Sequence, residues 1–578
     1  MCGCITSSHR PATAPANDEV LLNINGVLSF SNIGFHYSLV EHNTNTISKA
    51  AFSISIEDET TESIVPDVNG AYTFTPISTR KHAVIYAKKS NQPNLTLEAA
   101  LFTGEELSGE KNVEISLNST AQSLIFRYLR DNYGQLINPL SISDSELLET
   151  AEAIAFVLEQ RPEKLASQRL DQVAEVKAAF IAAADKIFKA GRGQTLYKHV
   201  LLAYAAGDND LHSKLRAQCE ALAKAGEQSQ TAVLIFSDLY ETGASISKLN
   251  ANTLIELEKI GKIDSTDPSR LKSFIEKYRR AYPAAHYTLY IGSHGDAWRP
   301  TTNLRGWLLQ DTDTAPPYGA KGNLIEIART IESSIETFTA TKRPFGLLIL
   351  DACNMGGIEV AYELKNCAER TIFSQAKVPA NGIPIQTWLT CAPTEKTPKA
   401  IGSAICDAYK AAYIDNRIAS TITMINNSEL QNFIQAFDQI LNSFLINDEY
   451  YTHAFGELAN NVAEYNEDES VKRYVLQAFE NIDYRDIGHL MSLIHDVEDN
   501  PQMAFSWEFC DVAQNLYSNK LIEAFHAHGF RDATGLFITF PKKSVYNSEY
   551  IGNSPIYHSY FSHRFCQNTK WPDILSEM

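Results

Sequence analysis

The chain has 578 residues, the length of roughly three domains of ordinary size. Its residues are 44% hydrophobic and 10% aromatic, enough to form hydrophobic cores, which excludes disorder over most of the chain. A formal net charge of −19 repels phosphate backbones, so the composition predicts no binding to nucleic acid. No run approaches the roughly 18 consecutive apolar residues of a membrane-spanning helix, so we expect no integral membrane protein.

Residues 1–18 have the composition of a flexible N-terminal tether. Cys2 and Cys4 precede a stretch rich in Ser, Thr, Pro and Ala. A processed bacterial lipoprotein begins with a lipid-bearing cysteine followed by such a linker. Two interpretations stay open: a membrane tether through Cys2 or Cys4, or a disordered terminus with incidental thiols. The nine cysteines of the whole chain are too sparse for a disulfide scaffold and show no CxxC pair for zinc.

Residues 19–118 contain short alternating runs separated by turn residues, which predicts a small β-sandwich module. The segment DVNGAYTF (67–74) resembles carboxypeptidase-regulatory or transthyretin-like modules, which implies a structural or adhesive role. In residues 119–196 the apolar period becomes helical, so we expect a helical connector there.

Residues 197–578 alternate apolar strands with amphipathic helices, which predicts an α/β sandwich whose mostly parallel sheet is covered by helices on both faces. Ligands of open α/β sheets bind beyond the carboxyl ends of the strands, so chemistry is expected directly after them. The clearest predicted strands are 198–206, 231–238, 285–293, 345–351, 370–375 and 535–541.

Two successive strands of this region are followed by reactive side chains, His294 and Cys353. A thiol with an ordinary pKa of about 8.5 is ionised only slightly at neutral pH, and His294 is the candidate base that activates it. The backbone N–H groups of Gly295 and Cys353 can form an oxyanion hole, in which one donor is worth about 3 kcal/mol. From residue types alone, an ordinary turn histidine beside a packing cysteine remains the alternative.

The order of these motifs resembles the clostripain-like cysteine peptidases, a bacterial branch of the caspase-fold enzymes. The matching segments are HG after one strand, DAC and MGGIEVAYELK after the next, and AYAAGDNDL (203–211), GWLLQDTD (306–313) and GLFITFP (535–541). The resemblance implies a caspase-like αβα sandwich and an endopeptidase acting on protein or peptide substrates. It also implies that the Cys353 thiolate attacks the scissile carbonyl, that His294 protonates the leaving amine, and that this dyad needs no third, acidic residue.

Asp351 precedes the nucleophile by two residues, where the family places a pocket carboxylate that selects Arg or Lys before the cut. The resemblance also assigns Trp388 to the wall of this pocket, and Ser374 to substrate binding. A strand-capping Asp351 and a core Trp388 are the structural alternatives. The chain departs from the family where a Ser-Glu-Glu run and a Gly-Trp-Pro segment are usual, reading Ser-Gln-Ala-Lys at 374–377 and Gly-Ile-Pro at 382–384. The preference for Arg or Lys before the cut therefore either depends on Asp351 alone or has changed.

Several relatives are zymogens that cut themselves between the two catalytic residues. For this chain we expect self-cleavage after Lys321, in a segment rich in Pro and Gly, or after Arg305. No cofactor is expected. Calcium has Asp311 and Asp313 as candidate ligands, but two carboxylates are far fewer than the roughly six oxygens it needs, so a solvated loop is the better interpretation.

The predicted protein is thus a secreted or lipid-anchored bacterial enzyme of the cell envelope. Two alternatives remain. One is a catalytically silent adhesin or scaffold on the same fold, and the other is a peptidase of this fold that cuts after a non-basic residue.

Overall fold

The computed structural model describes residues 19–28, 52–57, 63–80, 82–90, 92–101, 108–195, 197–298, 307–311, 320–334, 343–394, 397–446, 483–496, 504–541, 543–551 and 554–577. The chain divides into two compact units. Unit 1 is Met1–Leu196 with Arg279–Ala285, and unit 2 is Tyr197–Tyr278 with His286–Met578.

In the described part of unit 1, six strands form two three-stranded sheets. One sheet has the order β3-β1-β6 and the other β2-β4-β5. The turn before β3 is built by Asp67, whose side chain accepts hydrogen bonds from the N–H groups of Asn69 and Ala71, both at 2.8 Å. Gly70 in this turn has φ of +88°, a conformation that favours glycine. The strands are β1 (Glu19–Leu28), β2 (Phe52–Ile56), β3 (Ala71–Arg80), β4 (Val84–Lys89), β5 (Gln92–Ala100) and β6 (Ser108–Ile115).

Three long helices complete unit 1. They are α1 (Leu117–Tyr133), α2 (Asp144–Gln160) and α3 (Ala174–Lys189). The short strand β7 (Gln135–Leu136) follows α1 and pairs with β8 (Gln194–Thr195), which follows α3. Arg130 of α1 is fully buried and donates to both carboxylate oxygens of Glu57, at 2.8 and 2.9 Å. Glu57 directly follows β2, so the strands and helices that the sequence separates at residue 118 share one unit.

Unit 2 is organised around a nine-stranded sheet of order β12-β11-β10-β9-β13-β16-β17-β18-β20. Its pairs β9 with β10, β13 with β16 and β16 with β17 are parallel, and antiparallel strands form both edges. The strands are β9 (Tyr197–Gly207), β10 (Thr231–Leu239), β11 (Gly243–Asn250), β12 (Thr253–Gly261), β13 (Ala284–Gly292), β16 (Phe345–Asp351), β17 (Ala368–Phe373), β18 (Ser420–Asn426) and β20 (Ile522–His528). Two smaller sheets pair β14 (Trp307–Asp311) with β15 (Ala320–Asn323), and β19 (Tyr484–Asp486) with β21 (Phe537–Thr539).

The described helices of unit 2 connect these strands. They are α4 (His212–Ala225), α5 (Pro268–Ala281), α6 (Leu324–Ser333), α7 (Ile358–Leu364), α8 (Gln386–Cys391), α9 (Pro398–Tyr409), α10 (Leu430–Ile446), α11 (Ile487–Asp496), α12 (Ala504–Leu516), α13 (Lys543–Glu549), α14 (Pro555–Tyr560), α15 (Arg564–Gln567) and α16 (Trp571–Glu577). Within the described part of the chain, no helix combines the length and the apolarity needed to cross a membrane.

Helices cover both faces of the sheet. On one face, Leu201 and Leu347 of the strands share a core cluster with Ile401 of α9. On the other face, the rings of Tyr204 and Phe236 stack at 4.2 Å, and both contact Phe274 of α5. Because central strands are buried on both sides, they read as continuous apolar runs, which is why they are visible in the sequence. The predicted fold class, an αβα sandwich around a central sheet with parallel strands, is confirmed.

The C-terminal part of the sheet differs from the prediction. The apolar run 535–541 forms β21, which pairs with β19 in a separate two-stranded sheet. The ninth strand of the main sheet is instead β20, whose sequence IEAFHAH is only half-buried along its length. An edge strand with this mixed composition lacks the apolar run that reveals a central strand.

Candidate active site

His294 and Cys353 leave the main sheet at the same edge. The parallel strands β13 and β16 pair with Gly292 opposite Asp351, and each reactive residue lies two positions beyond that pair. The pairing continues past the strand end, because the Ser293 N–H donates to the Asp351 carbonyl at 3.3 Å. Equal offsets from a parallel register place the two residues directly after neighbouring strands, at the same end of the sheet.

The two strand-end loops are tied together by a side chain. Asn354, which follows Cys353, donates from Nδ2 to Asp296 Oδ1 at 3.2 Å, and its own N–H donates to the Ala376 carbonyl at 3.1 Å. Its φ of +58° lies in the left-handed region that Asn tolerates better than most residues. The turn after the candidate nucleophile is thus fixed on two sides.

Gly295 lies where a side chain would separate the two loops. A Cβ at this position would come within 2.9 Å of Met355 Sδ, 3.0 Å of Ala352 Cβ and 3.4 Å of the Cys353 carbonyl oxygen. These distances show that the residue after His294 packs closely against the segment around Cys353. A methyl group here would force Met355 or Ala352 to shift, so glycine favours the close approach.

A carboxylate contacts the imidazole. Asp210 Oδ1 lies 2.6 Å from His294 Nε2, with the His294 side chain 26% exposed and that of Asp210 83% exposed. Asp210 was not singled out by the sequence. The available signal was its place in the loop after β9, since β9 is the neighbour of β13 in the sheet.

The loop that carries Asp210 is held by Asn209. Its Nδ2 donates to the Gln310 carbonyl at 2.8 Å, and its Oδ1 accepts the Leu211 N–H at 2.9 Å. Helix α4 begins after Leu211 without a side-chain cap, and Asp208, earlier in the same loop, is buried.

Asp351 is buried beneath the strand end, with 7% of its surface exposed. Its Oδ2 lies 2.8 Å from Gln218 Nε2, 2.7 Å from the Tyr290 hydroxyl and 2.9 Å from the Ile383 N–H. Within the described residues, its hydrogen bonds all meet Oδ2. Burial raises the pKa of the Asp351 carboxyl, and the hydrogen bonds donated by Gln218 and the Ile383 N–H oppose this shift.

A glycine lies over this carboxylate. Gly382 has φ of +72°, and a Cβ there would lie 1.8 Å from Gln218 Nε2 and 2.4 Å from Asp351 Oδ2. The Tyr413 hydroxyl donates to the Gly382 carbonyl at 2.8 Å and holds the turn in place. Only glycine satisfies both the backbone conformation and the lack of space.

The structure contradicts the expected roles of Ser374 and Trp388 as substrate contacts. Both side chains are fully buried. The Ser374 hydroxyl lies 2.9 Å from Thr421 Oγ1, and Trp388 Nε1 donates to Thr288 Oγ1 at 3.0 Å within the core cluster. The core alternative is therefore correct for Trp388, and Ser374 joins β17 to β18.

Lys321 does not lie in the exposed loop that the sequence predicts. It belongs to β15 and pairs with Gln310 of β14, and it is half-buried, which lowers the pKa of its ammonium group. Arg305, the other predicted cleavage site, lies outside the described residues.

One group of carboxylates has the geometry of metal ligands. Asp208, Asp238 and Asp311 are all buried and bring one oxygen each within 4.8 Å of the others, the one such group that the described residues contain. Asp311 also accepts hydrogen bonds from Ser265 N and Oγ, at 3.0 and 3.2 Å, so its expected place in a solvated loop is wrong. Asp313 lies outside the described residues. Three carboxylate oxygens suit calcium or magnesium in type but are fewer than the roughly six to eight that calcium takes.

A comparison with known protein families shows which family the chain belongs to. The family described as Peptidase C11, the clostripain family, matches residues 203–577. The chain belongs to the clostripain family. It is therefore a cysteine protease by family, in agreement with the resemblance seen in the sequence motifs.

Solved structures of two clostripain-family proteases are similar to this chain. A secreted C11 cysteine protease from Bacteroides thetaiotaomicron, in complex with an irreversible peptide inhibitor, is 18% identical, covers 66% of this chain and 99% of its own, and has a TM-score of 0.46. An inactive zymogen C11 protease from Parabacteroides distasonis is 19% identical, covers 65% and 98%, and has a TM-score of 0.47. A search among curated proteins found no match.

Proposed function

We propose that this clostripain-family protease is an endopeptidase in which Cys353 and His294 form the catalytic dyad. The observation that carries the proposal is the parallel register of Gly292 with Asp351, from which both reactive residues follow at equal distance. The clostripain family consists of cysteine proteases, so the family match over residues 203–577 supports a catalytic role for these two residues.

The reaction proceeds by acyl transfer. The Cys353 thiolate attacks the scissile carbonyl carbon, and the N–H groups of Gly295 and Cys353 stabilise the oxyanion that forms. His294 then protonates the amine nitrogen as the C–N bond breaks, leaving a thioester on Cys353. Water attacks the thioester while His294 takes its proton, which releases the acid and regenerates the thiol. Because Asp210 engages Nε2, we assign the proton transfers to Nδ1 of His294.

Asp351 selects Arg or Lys before the scissile bond. Its Oδ2 is held by three neighbours, and Oδ1 is the oxygen that receives the substrate cation. A buried carboxylate without a cation is costly, and pairing it with the cation of the substrate favours basic over neutral side chains strongly. Ser374 and Trp388 play no part in this selection, since both are buried.

Labelling with an irreversible inhibitor tests the dyad. A peptidyl acyloxymethyl ketone ending in Arg should add once, on Cys353, and its norleucine analogue should react far more slowly. Cys353→Ala and His294→Ala should both abolish labelling. Cys391→Ala is the matched control, because Cys391 is also half-buried but lies in α8, and labelling should persist. Label on a residue other than Cys353, or none on folded protein, would exclude the dyad and favour a silent scaffold.

We also propose that the protein acts outside the cytoplasm, secreted or attached through a lipid on Cys2 or Cys4. The supporting observations are the composition of residues 1–18 and the relative from Bacteroides thetaiotaomicron, which is described as secreted. Mass spectrometry of the N-terminal peptide from the natural source tests this. A diacylglyceryl mass on Cys2 or Cys4 is expected for the anchored form, and an unmodified, cell-retained terminus contradicts the proposal.

A further inference from the structure

Three polar side chains meet in the pocket beneath the candidate active site. Gln218 of α4, Tyr290 of β13 and Asp351 of β16 are 8%, 2% and 7% exposed. The Tyr290 hydroxyl lies 2.6 Å from Gln218 Oε1 and 2.7 Å from Asp351 Oδ2. Both distances are short enough to require a hydrogen between the two oxygens.

Tyr290 has one hydroxyl hydrogen for these two contacts. The orientation of the Gln218 amide is fixed, because its Nε2 also donates to the Asn381 carbonyl at 3.0 Å and to Asp351 Oδ2 at 2.8 Å. A flipped amide would place its oxygen against both of those acceptors. Gln218 Oε1 must therefore accept the Tyr290 hydrogen, and the contact between Tyr290 and Asp351 needs a second hydrogen.

The Asp351 carboxyl is the group that can supply this hydrogen. Among the described residues, the titratable groups that interact with it are Tyr290 on β13, Tyr409 at the end of α9 and Tyr413 beyond it. Burial raises the pKa of all three tyrosines, so they stay neutral at physiological pH. The remaining contacts, Gln218 and the Ile383 N–H, do not titrate.

We propose that, before substrate binds, Asp351 carries a proton that it donates to the Tyr290 oxygen, and that a basic substrate side chain displaces this proton. The inference rests on the proposed selection of Arg or Lys by Asp351. The protonated acid loses its hydrogen to solvent, and the resulting carboxylate pairs with the guanidinium or ammonium group. Gln218 and Tyr290 are then specificity-determining residues that act by positioning the carboxyl and its proton.

A consequence is that substrate selectivity depends on pH. At low pH the protonated pocket is uncharged and holds neutral side chains without the cost of an unpaired carboxylate. As the pH rises, the neutral substrate leaves a buried charge unpaired, whereas the basic one supplies its partner. The preference for basic substrates therefore increases with pH until Asp351 is fully ionised in the empty pocket.

Paired substrates isolate this effect from the dyad. We would measure kcat/KM for two peptides that differ only in Arg or its neutral isostere citrulline before the cut, between about pH 5 and about pH 9. The ratio cancels the titration of Cys353 and His294, which both substrates share. It should rise by up to about tenfold per pH unit and then level, as expected for one proton. Asp351→Asn should give a low ratio that does not change with pH.

A constant ratio that still favours Arg would overturn the proton displacement and leave the proposed basic preference intact. A ratio near one throughout would instead show that the basic preference itself is wrong. The two failures are therefore distinguishable on wild-type protein.

Tyr290→Phe tests the direction of the hydrogen bond. If Asp351 donates to Tyr290, loss of the hydroxyl destabilises the protonated acid. The rise in the kcat/KM ratio of the Arg to the citrulline peptide then moves to lower pH. If Tyr290 donates to the carboxylate, the rise moves to higher pH, which contradicts the proposal. The unchanged volume of the ring limits disturbance of the core, and labelling of Cys353 by iodoacetamide confirms that the variant remains folded at the site.

Discussion

Asp210 and His294 contact each other at 2.6 Å although 84 residues separate them in the chain. An ionised carboxylate can only accept, so the imidazole Nε2–H donates to it, and in the proposed mechanism this leaves Nδ1 for the thiol. The sequence resemblance implied a dyad without an acidic partner. The contact and this expectation are compatible because Asp210 is highly exposed. A solvated carboxylate orients the imidazole ring but adds little interaction free energy.

Asp210→Ala should lower kcat/KM by about two- to fivefold at low salt, since exposed ion pairs are worth about 0.2 to 1 kcal/mol. Asp210→Asn keeps an acceptor and should lose less. The difference in kcat/KM between the wild type and Asp210→Asn should become smaller in high salt, because salt screens exposed charges. Steady-state assays at two ionic strengths provide the measurement.

The matched control is Asp407, whose carboxylate lies 3.3 Å from His526 Nε2 with a similar exposure of 73%. Asp407→Ala removes an equivalent surface pair on α9 and should leave kcat/KM unchanged. Equal activity of Asp210→Ala and the wild type at low salt would show that Asp210 does not orient His294.

Asp351→Asn should stabilise the protein at neutral pH while it impairs selectivity. Burial raises the pKa of this carboxyl, so the native state binds the proton more tightly than the unfolded chain. This tighter proton binding stabilises the native state fully below the ordinary Asp pKa. The stabilisation is lost as pH rises through the raised native pKa. Asparagine does not titrate, so the melting temperature of the variant relative to wild type should increase from about pH 4 to about pH 8.

The same variant should lose about 100-fold in kcat/KM for Arg substrates, because the cation would face an uncharged amide. Melting curves and kinetics on one preparation give both results. A melting temperature that falls below the wild-type value as pH rises would mean that the carboxylate stabilises the fold in its ionised form.

The sequence could predict His294 and Cys353 as candidate catalytic residues because the patterns that point to them are local. Buried parallel strands read as apolar runs, and the residues after them meet at one sheet edge, which located His294 and Cys353 without a structure. Asp351 was identified from the resemblance to the clostripain family, through its position two residues before Cys353. These residues lie on neighbouring strands, so no knowledge of distant packing was needed.

The residues that the sequence missed or misplaced depend on packing between distant segments. Asp210 reaches His294 only because β9 lies beside β13, and strand order is not visible in local patterns. Trp388 was placed in the pocket wall because a tryptophan near an active site and one in the core look identical in sequence. Ser374 was misplaced for the same reason, since its burial follows from the pairing of β17 with β18.

Gly295→Ala should lower activity by separating the two strand-end loops. The added Cβ would meet Met355 Sδ at 2.9 Å and Ala352 Cβ at 3.0 Å, and overpacking of this kind costs about 1 to 3 kcal/mol. We expect a lower melting temperature and a fall in kcat with a smaller change in KM. Adding Ala352→Gly removes one of the two contacts and should restore part of both losses. Wild-type kcat in the single variant would show that the loops accept the methyl group.

Self-processing between the catalytic residues, if Cys353 carries it out, should follow Arg305 rather than Lys321. A protease binds its substrate as an extended segment, and Lys321 is half-buried in β15 and already paired with β14. Incubated wild-type protein should therefore give a fragment that begins at Gly306, and Arg305→Ala should abolish it while Lys321→Ala does not. Cys353→Ala should stay intact. A fragment beginning at Gly322 would show that β15 detaches before the cut, and identical single bands for wild type and Cys353→Ala would exclude self-processing.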